Sequence, residues 1–231
     1  MPGRRCVSWS CQMFLFCSIL YLRLERLWTS AGGRHGWRIR FFRDLPRRPK
    51  RPERLFFGLL VGSPTGAELD ECRDQVVRDS DLKGARLKTE RLHMTVHHVG
   101  DYERLPPRFV YAGRQAAQAV SMPSFEVTFR LVTSFESMPR RDGRPPRWPV
   151  VLPGEGDRVF EFHKILGAAM ERYGLKIAEH FVPHLTLFYA SRPITPRAIK
   201  PIRFLVDEFV LIHSELGLTR YNILDRWRLK D

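Results

Sequence analysis

Arg91-Leu92-His93-Met94-Thr95-Val96 and, further along, Pro183-His184-Leu185-Thr186-Leu187 decide how this chain is read. Both run His, apolar, Thr, apolar. In a β-strand the side chains at i and i+2 share a face. His93 and Thr95 therefore point one way while Met94 and Val96 enter a core, and His184 and Thr186 do the same against Leu185 and Leu187. One His-x-Thr carries no information, since strands contain both residues by chance. Two copies in matching apolar frames, each on its own strand with a helix between, point to a duplicated site. If the two strands lie side by side, two imidazoles and two hydroxyls surround one cleft.

The flanking sequence supplies the frame. Leu55–Val61 is a short apolar run closed by Gly62-Ser63-Pro64, the look of a buried strand. Gly66–Asp79 has Leu69, Cys72 and Val76 at helical spacing, with acids on the other face. Leu87–Val99 reads as a strand stopped by Gly100-Asp101, and Phe109–Val120 as an Ala-rich helix. Phe125–Val132 alternates as a half-exposed strand should. A loop, Met138–Pro149, leads to a strand beginning at Trp148. Val159–Tyr173 is a helix with Gly174 as its stop. His184–Tyr189 is a strand, and Leu205–His213 with Leu218–Leu224 form a strand pair. The order β, α, β, α, β, β, α, β, β, β with short connections predicts the α+β class.

Composition narrows the function. The chain has 231 residues and a formal net charge of +14, but the charge is uneven. Residues 1–52 carry a net +10 and residues 53–231 a net +4. The second segment is thus only mildly basic, compatible with a phosphate-bearing substrate. Residues 1–52 read as a basic, disordered extension, ending in the linker Pro46-Arg47-Arg48-Pro49-Lys50-Arg51-Pro52, and residues 53–231 as the folded domain. A basic start and the apolar Met13–Leu22 sketch a secretion signal, yet Arg23, Glu25 and Arg26 interrupt it. The expected location is the cytoplasm. No run reaches the roughly 18 apolar residues of a membrane span. Cys6, Cys11 and Cys17 lie in the extension, leaving Cys72 alone in the domain. Neither a structural zinc site nor a disulfide framework is expected.

Two histidines are what phosphodiester cleavage needs near neutral pH. One takes a proton from the attacking oxygen and the other gives one to the leaving oxygen. Threonine hydroxyls donate to non-bridging phosphate oxygens, stabilising charge as it develops. His93 and His184 are the candidate catalytic residues, and Thr95 and Thr186 the candidate phosphate contacts. No metal or other cofactor is required.

These residues carry a family resemblance. The paired motifs resemble the 2H phosphoesterase superfamily, and their surroundings resemble its RNA 2′,3′-cyclic phosphodiesterase branch, also called 2′-5′ RNA ligase (LigT-like). Arg54-Leu55-Phe56-Phe57-Gly58-Leu59 is similar to that branch's opening strand. His93 through Gly100 and Phe181 through Leu187 are similar to its two motifs, and Val210–Leu216 with Tyr221 and Trp227 to its C-terminal strands. The resemblance covers about residues 54–229. It departs after Leu187, where many members have Ala-Arg and this chain has Phe188-Tyr189-Ala190-Ser191-Arg192. A basic phosphate contact is absent there or is supplied by Arg192. The resemblance implies a bilobal fold of two pseudo-symmetric lobes, each giving one motif to a central cleft. It implies metal-independent hydrolysis of RNA 2′,3′-cyclic phosphate ends, tRNA halves among them, to 2′-phosphomonoesters, with reversible 2′-5′ ligation, by a monomer. His184 is then the base and His93 the acid. Other 2H diesters (2′-5′ oligonucleotides, ADP-ribose cyclic phosphate) and a non-catalytic RNA-end binder are the alternatives.

Among the neighbours, strict alternation puts His97 on the face of His93 and Thr95 and His98 on the other, so His97 is a candidate for the site rim. Arg140, Arg141, Arg144, Arg147 and Trp148 interleave guanidinium groups with a ring, a pattern suited to RNA, with Trp148 as the candidate base platform. Phe56 and Phe135 are further stacking candidates. His163 reads as a structural histidine.

Overall fold

The computed structural model describes residues 53–82, 84–137, 145–178, 180–215 and 220–230. The extension 1–52 and Arg140, Arg141 and Arg144 lie outside the described residues. Among the described residues nine strands and three α-helices follow one another as β1 (Glu53–Leu60), α1 (Ser63–Ser80), β2 (Gly84–Arg86), β3 (His93–Tyr102), α2 (Pro107–Gln118), β4 (Phe125–Ser134), β5 (Trp148–Glu155), α3 (Asp157–Arg172), β6 (His184–Ala190), β7 (Arg197–Val206), β8 (Glu208–Glu215) and β9 (Arg220–Arg228). The class is α+β.

The long strands form one antiparallel sheet in the order β7-β4-β5-β6-β3-β1-β8-β9, with short β2 added to β6. This order has a pseudo-twofold centre between β6 and β3, the two motif strands. There the halves meet at a single paired position, Met94 opposite Leu185. Each half is otherwise stitched by long ladders, β1 on β3 and β8, and β5 on β4 and β6. Joined at this one paired position, the two motif strands lie side by side at the middle of the sheet, and the face they share opposite the main core is the candidate cleft.

One face carries the main core. Leu55, Phe57 and Leu59 of β1, Met94 and Val96 of β3, and Leu185 and Leu187 of β6 are buried there with Leu69 and Val76 of α1, Ala116 and Ala117 of α2, and Phe162 and Leu166 of α3. The opposite face of the first lobe holds a small second cluster, Phe56, Val210 and Ile212, with Leu60 and Tyr221 packed on it. Burying a Leu or Phe contributes about 1.5–3 kcal/mol, so the larger cluster holds the fold and the smaller one shapes the open face. None of the described helices is long and apolar enough to cross a membrane.

Three differences from the sequence reading have physical causes. The stretch Leu205–His213 is not one strand, because β7 ends at Val206 and β8 starts at Glu208. Pro201 sits inside β7, which argues against a strand, but β7 is at the sheet edge, where a missing N–H costs no ladder bond. Gly174 does adopt the left-handed conformation (φ 72°) past the end of α3, as its stop role requires. The third difference lies in the motif strands. The register of β3 on β1 slips between Phe57 and Gly58, leaving Val96 as an extra residue, and that of β6 on β5 slips between Val150 and Val151, leaving Leu187. Both lobes carry a β-bulge immediately after their His-x-Thr.

Candidate active site

Each motif histidine is the first residue of its strand, where the chain has just turned in from a loop. A side chain there can fold back on its own backbone. His93 Nδ1 lies 2.8 Å from the Arg91 carbonyl and His184 Nδ1 lies 2.8 Å from the Val182 carbonyl. A carbonyl only accepts, so Nδ1 donates in both rings and Nε2 is left with its lone pair. The same tautomer and the same anchor, two residues back, recur in both lobes. A short 3-10 turn, Thr89–Arg91, sets the first carbonyl, and the Pro183 carbonyl, held by the Gly154 N–H at 2.9 Å, fixes the chain around the second.

Antiparallel pairing of Met94 with Leu185 sets His93 across from Thr186 and Thr95 across from His184. All four side chains are partly accessible while the residues between them are buried. Aromatic rings wall both imidazoles. Phe56 lies 5.3 Å from His93, Tyr221 meets the same ring edge-on at 5.2 Å, and Phe135 meets His184 at 4.8 Å. Burial among these rings pushes His93 down to about 4, opposed by the Arg91 carbonyl and helped by the charges of His184 and Arg91. His184 is also lowered by burial, against its bond to Val182. Both rings are therefore neutral bases in the free protein at neutral pH.

The bulges re-aim the residues beyond each motif. His97 does not share the face of His93. It is 1% exposed, and its Nε2 lies 2.9 Å from the His163 carbonyl. Its ring stacks on that of His163 (centroids 4.0 Å apart), which stacks in turn on Phe181 at 4.3 Å. Val96 and His97 both point coreward, so alternation resumes one residue late, and it is exposed His98, paired across from Phe56, that returns to the cleft face. The expectation for His97 as a rim residue is corrected to a place under α3, where a Cβ on Gly167 would come within 3.2 Å of its ring. In the second lobe the equivalent bulge brings Tyr189 to the cleft face.

Arg192 does not reach the cleft, because its Nη2 donates to the Ser80 carbonyl at 2.7 Å. Trp148 pairs across from Ala190, a core residue, so it lies on the face away from His184. Arg147 is exposed and its carbonyl accepts from Ser137 Oγ at 3.0 Å. Ser214 is buried on β8, in register with Arg54 and Tyr221.

The structure adds residues that sequence reasoning did not single out. Arg91 lies over the Tyr221 ring at 4.6 Å. Arg54 holds Asp101 through two bonds of 2.7 and 2.8 Å and presses its carboxyl down to about 2, with His98 Nε2 3.0 Å from the same carboxylate. Tyr189 feels the charges of both Arg54 and Arg91. Tyr221 comes from β9, three strands away from β3 in the sheet, and no local pattern announces such a meeting. A separate groove of about 360 Å³ runs between α1 and β7, past Glu71, Cys72 and Arg197, and none of the motif residues lines it.

The model of the 2′-5′ RNA ligase superfamily matches residues 62–218. Among solved structures, E. coli LigT in its apo form is similar over 78% of this chain and 99% of its own, at 23% identity and a TM-score of 0.55. The same enzyme complexed with 3′-AMP matches equally well, at 23% identity, the same coverage of both chains and a TM-score of 0.55. TT0787 of Thermus thermophilus is similar over 76% of this chain and 97% of its own, at 22% identity and a TM-score of 0.56. At these identities the likeness establishes the fold. No curated protein matches the chain.

Proposed function

Since the chain belongs to the 2′-5′ RNA ligase superfamily of 2H phosphoesterases, we propose that it opens 2′,3′-cyclic phosphate ends of RNA to 2′-phosphomonoesters, and that it joins RNA ends through a 2′-5′ bond in reverse. The observation that carries this reading is the meeting of two His-x-Thr motifs at Met94 and Leu185, each imidazole held by a carbonyl and offering Nε2 to the cleft.

In this mechanism His184 Nε2 takes a proton from water as its oxygen bonds to phosphorus. The P–O3′ bond breaks, and protonated His93 gives its Nε2 proton to O3′. The 2′-phosphate leaves with His184 protonated and His93 neutral; His184 then gives its proton to solvent, and binding of the next diester anion protonates His93. In the reverse direction the roles exchange. Thr95 and Thr186 donate to the non-bridging oxygens, where negative charge grows in the transition state. The walls of Phe56, Tyr221 and Phe135 raise the strength of each charge interaction by excluding water. The E. coli relative is complexed with 3′-AMP, a ribonucleotide end, which supports RNA ends as the substrate class here.

Competition between two cyclic diesters tests the reading. A short RNA ending in a 2′,3′-cyclic phosphate is expected to be consumed ahead of ADP-ribose 1″,2″-cyclic phosphate and to end as the 2′-phosphate. Preference for the ADP-ribose diester, or a 3′-phosphate product, would contradict it.

A further inference from the structure

A cyclic phosphodiester carries one negative charge, yet two neutral imidazoles and two threonines bring no fixed positive charge to meet it. Arg192 is turned away to Ser80, and Arg54 is already matched by both oxygens of Asp101. Arg91 is different. Its guanidinium rests on the face of Tyr221, whose edge touches the His93 ring, so the cation stands beside the first motif histidine. Its Nε is buried and makes no hydrogen bond, and among the described residues no carboxylate pairs with it. A buried guanidinium donor without a partner costs on the order of 1–3 kcal/mol unless something arrives to accept it.

We propose that Arg91 is the cationic contact for the substrate's phosphate, held in place by Tyr221. This rests on the reading of the cleft as a phosphodiester site and assigns its charge. Arg91 thus serves the site twice. Its carbonyl orients His93, and its side chain binds the anion that His93 works on. Stacking on Tyr221 fixes the guanidinium plane without neutralising it, so little freedom is lost when phosphate binds.

The experiment titrates inorganic phosphate into the full chain and follows binding by calorimetry, in wild type and in Arg91→Met, Arg91→Lys, Arg192→Met and Arg130→Met, Arg130 of β4 being an exposed arginine that pairs with Glu155 at 3.2 Å. Loss of one charge-assisted contact predicts phosphate binding about 10- to 100-fold weaker in Arg91→Met. Arg91→Lys keeps the charge but loses the stacked fork and should fall between Arg91→Met and wild type, and Arg192→Met and Arg130→Met should match wild type. Unchanged binding in Arg91→Met, loss confined to Arg192→Met, or no phosphate binding by the wild type would overturn the proposal. A readout in the unaltered protein guards against a misfolded variant. The Arg91 Nε–H nitrogen signal must shift when phosphate is added, and a silent Arg91 beside a shifting His93 would overturn the assignment equally. Loss of phosphate binding in Arg91→Met together with wild type that never turns over a cyclic phosphate would uphold Arg91 and sink the hydrolase reading.

Discussion

Binding of a cyclic phosphate must bring a proton with it. His93 in the free protein is held at about 4, so at pH 7 only about one molecule in 10³ carries the proton that the leaving O3′ needs. A diester anion roughly 4 Å from the ring supplies about 4 kcal/mol at the effective dielectric near a protein surface, or about 3 pKa units. That is enough to lift His93 to about 7 in the complex. The perturbation that isolates this step is His184→Ala, which slows turnover by about 10²–10⁴-fold and leaves His93 as the titrating group, with a ligand that does not itself titrate. Calorimetry in buffers of different ionisation enthalpy then counts protons. Uptake should be about 0.9 per cyclic phosphate bound at pH 6, about half at pH 7, and near zero at pH 9. The double variant with His93→Ala should take up none. The sign also fixes the rate profiles. kcat/KM, which reports the free enzyme, should fall as pH rises through neutrality, while kcat holds to about pH 7. Binding without proton uptake at pH 6, or uptake that survives His93→Ala, would refute the reasoning.

Other expectations rest on particular groups. A substrate with sulfur in place of O3′ needs no proton on its leaving group, so it should restore most of the rate to His93→Ala and little to His184→Ala; rescue of His184→Ala alone would exchange the two roles. Thr186→Ala should lower kcat/KM by about 10- to 100-fold, below the 10²–10⁴ of either histidine, since one neutral donor is lost while others remain. The buried stack of His97 and His163 makes acid costly. His163 sits at about 4 when folded, through burial and the neighbouring His97, and near 6.5 when unfolded. The unfolded chain therefore binds the proton first, and stability present above pH 6.5 is lost as pH falls toward 4. His163→Phe keeps a ring between His97 and Phe181, so its melting temperature should fall less than wild type's between pH 7 and pH 5. Equal falls would remove His163 as the cause.

The motif strands were legible because their information is local. A two-residue period places His and Thr on one face, and the apolar residues between them identify the buried side. The same logic failed one residue later in both lobes, since a bulge is a property of two paired strands and Val96 and Leu187 look like ordinary strand residues. His97 was misplaced for that reason, and Tyr189 was overlooked for the same one. Arg192 is suggested by nearness in sequence, but the strand's end at Ala190 turns the chain toward Ser80. Trp148 reads as an RNA platform from composition, while its register opposite Ala190 sends it to the far face. Arg91 and Tyr221 could not have been paired from the sequence, because only the β1–β8–β9 ladder brings them together. Pro201 hides β7 because an edge position cannot be read from a strand's own residues.

The most direct test of two histidines acting as one acid–base pair is product analysis with a short RNA ending in a 2′,3′-cyclic phosphate, in excess EDTA, for wild type, His93→Ala and His184→Ala. The account predicts a 2′-phosphate from the wild type and a rate at least about 10²-fold lower in each variant. Near wild-type turnover in either variant, or a wild type that EDTA silences, would contradict it.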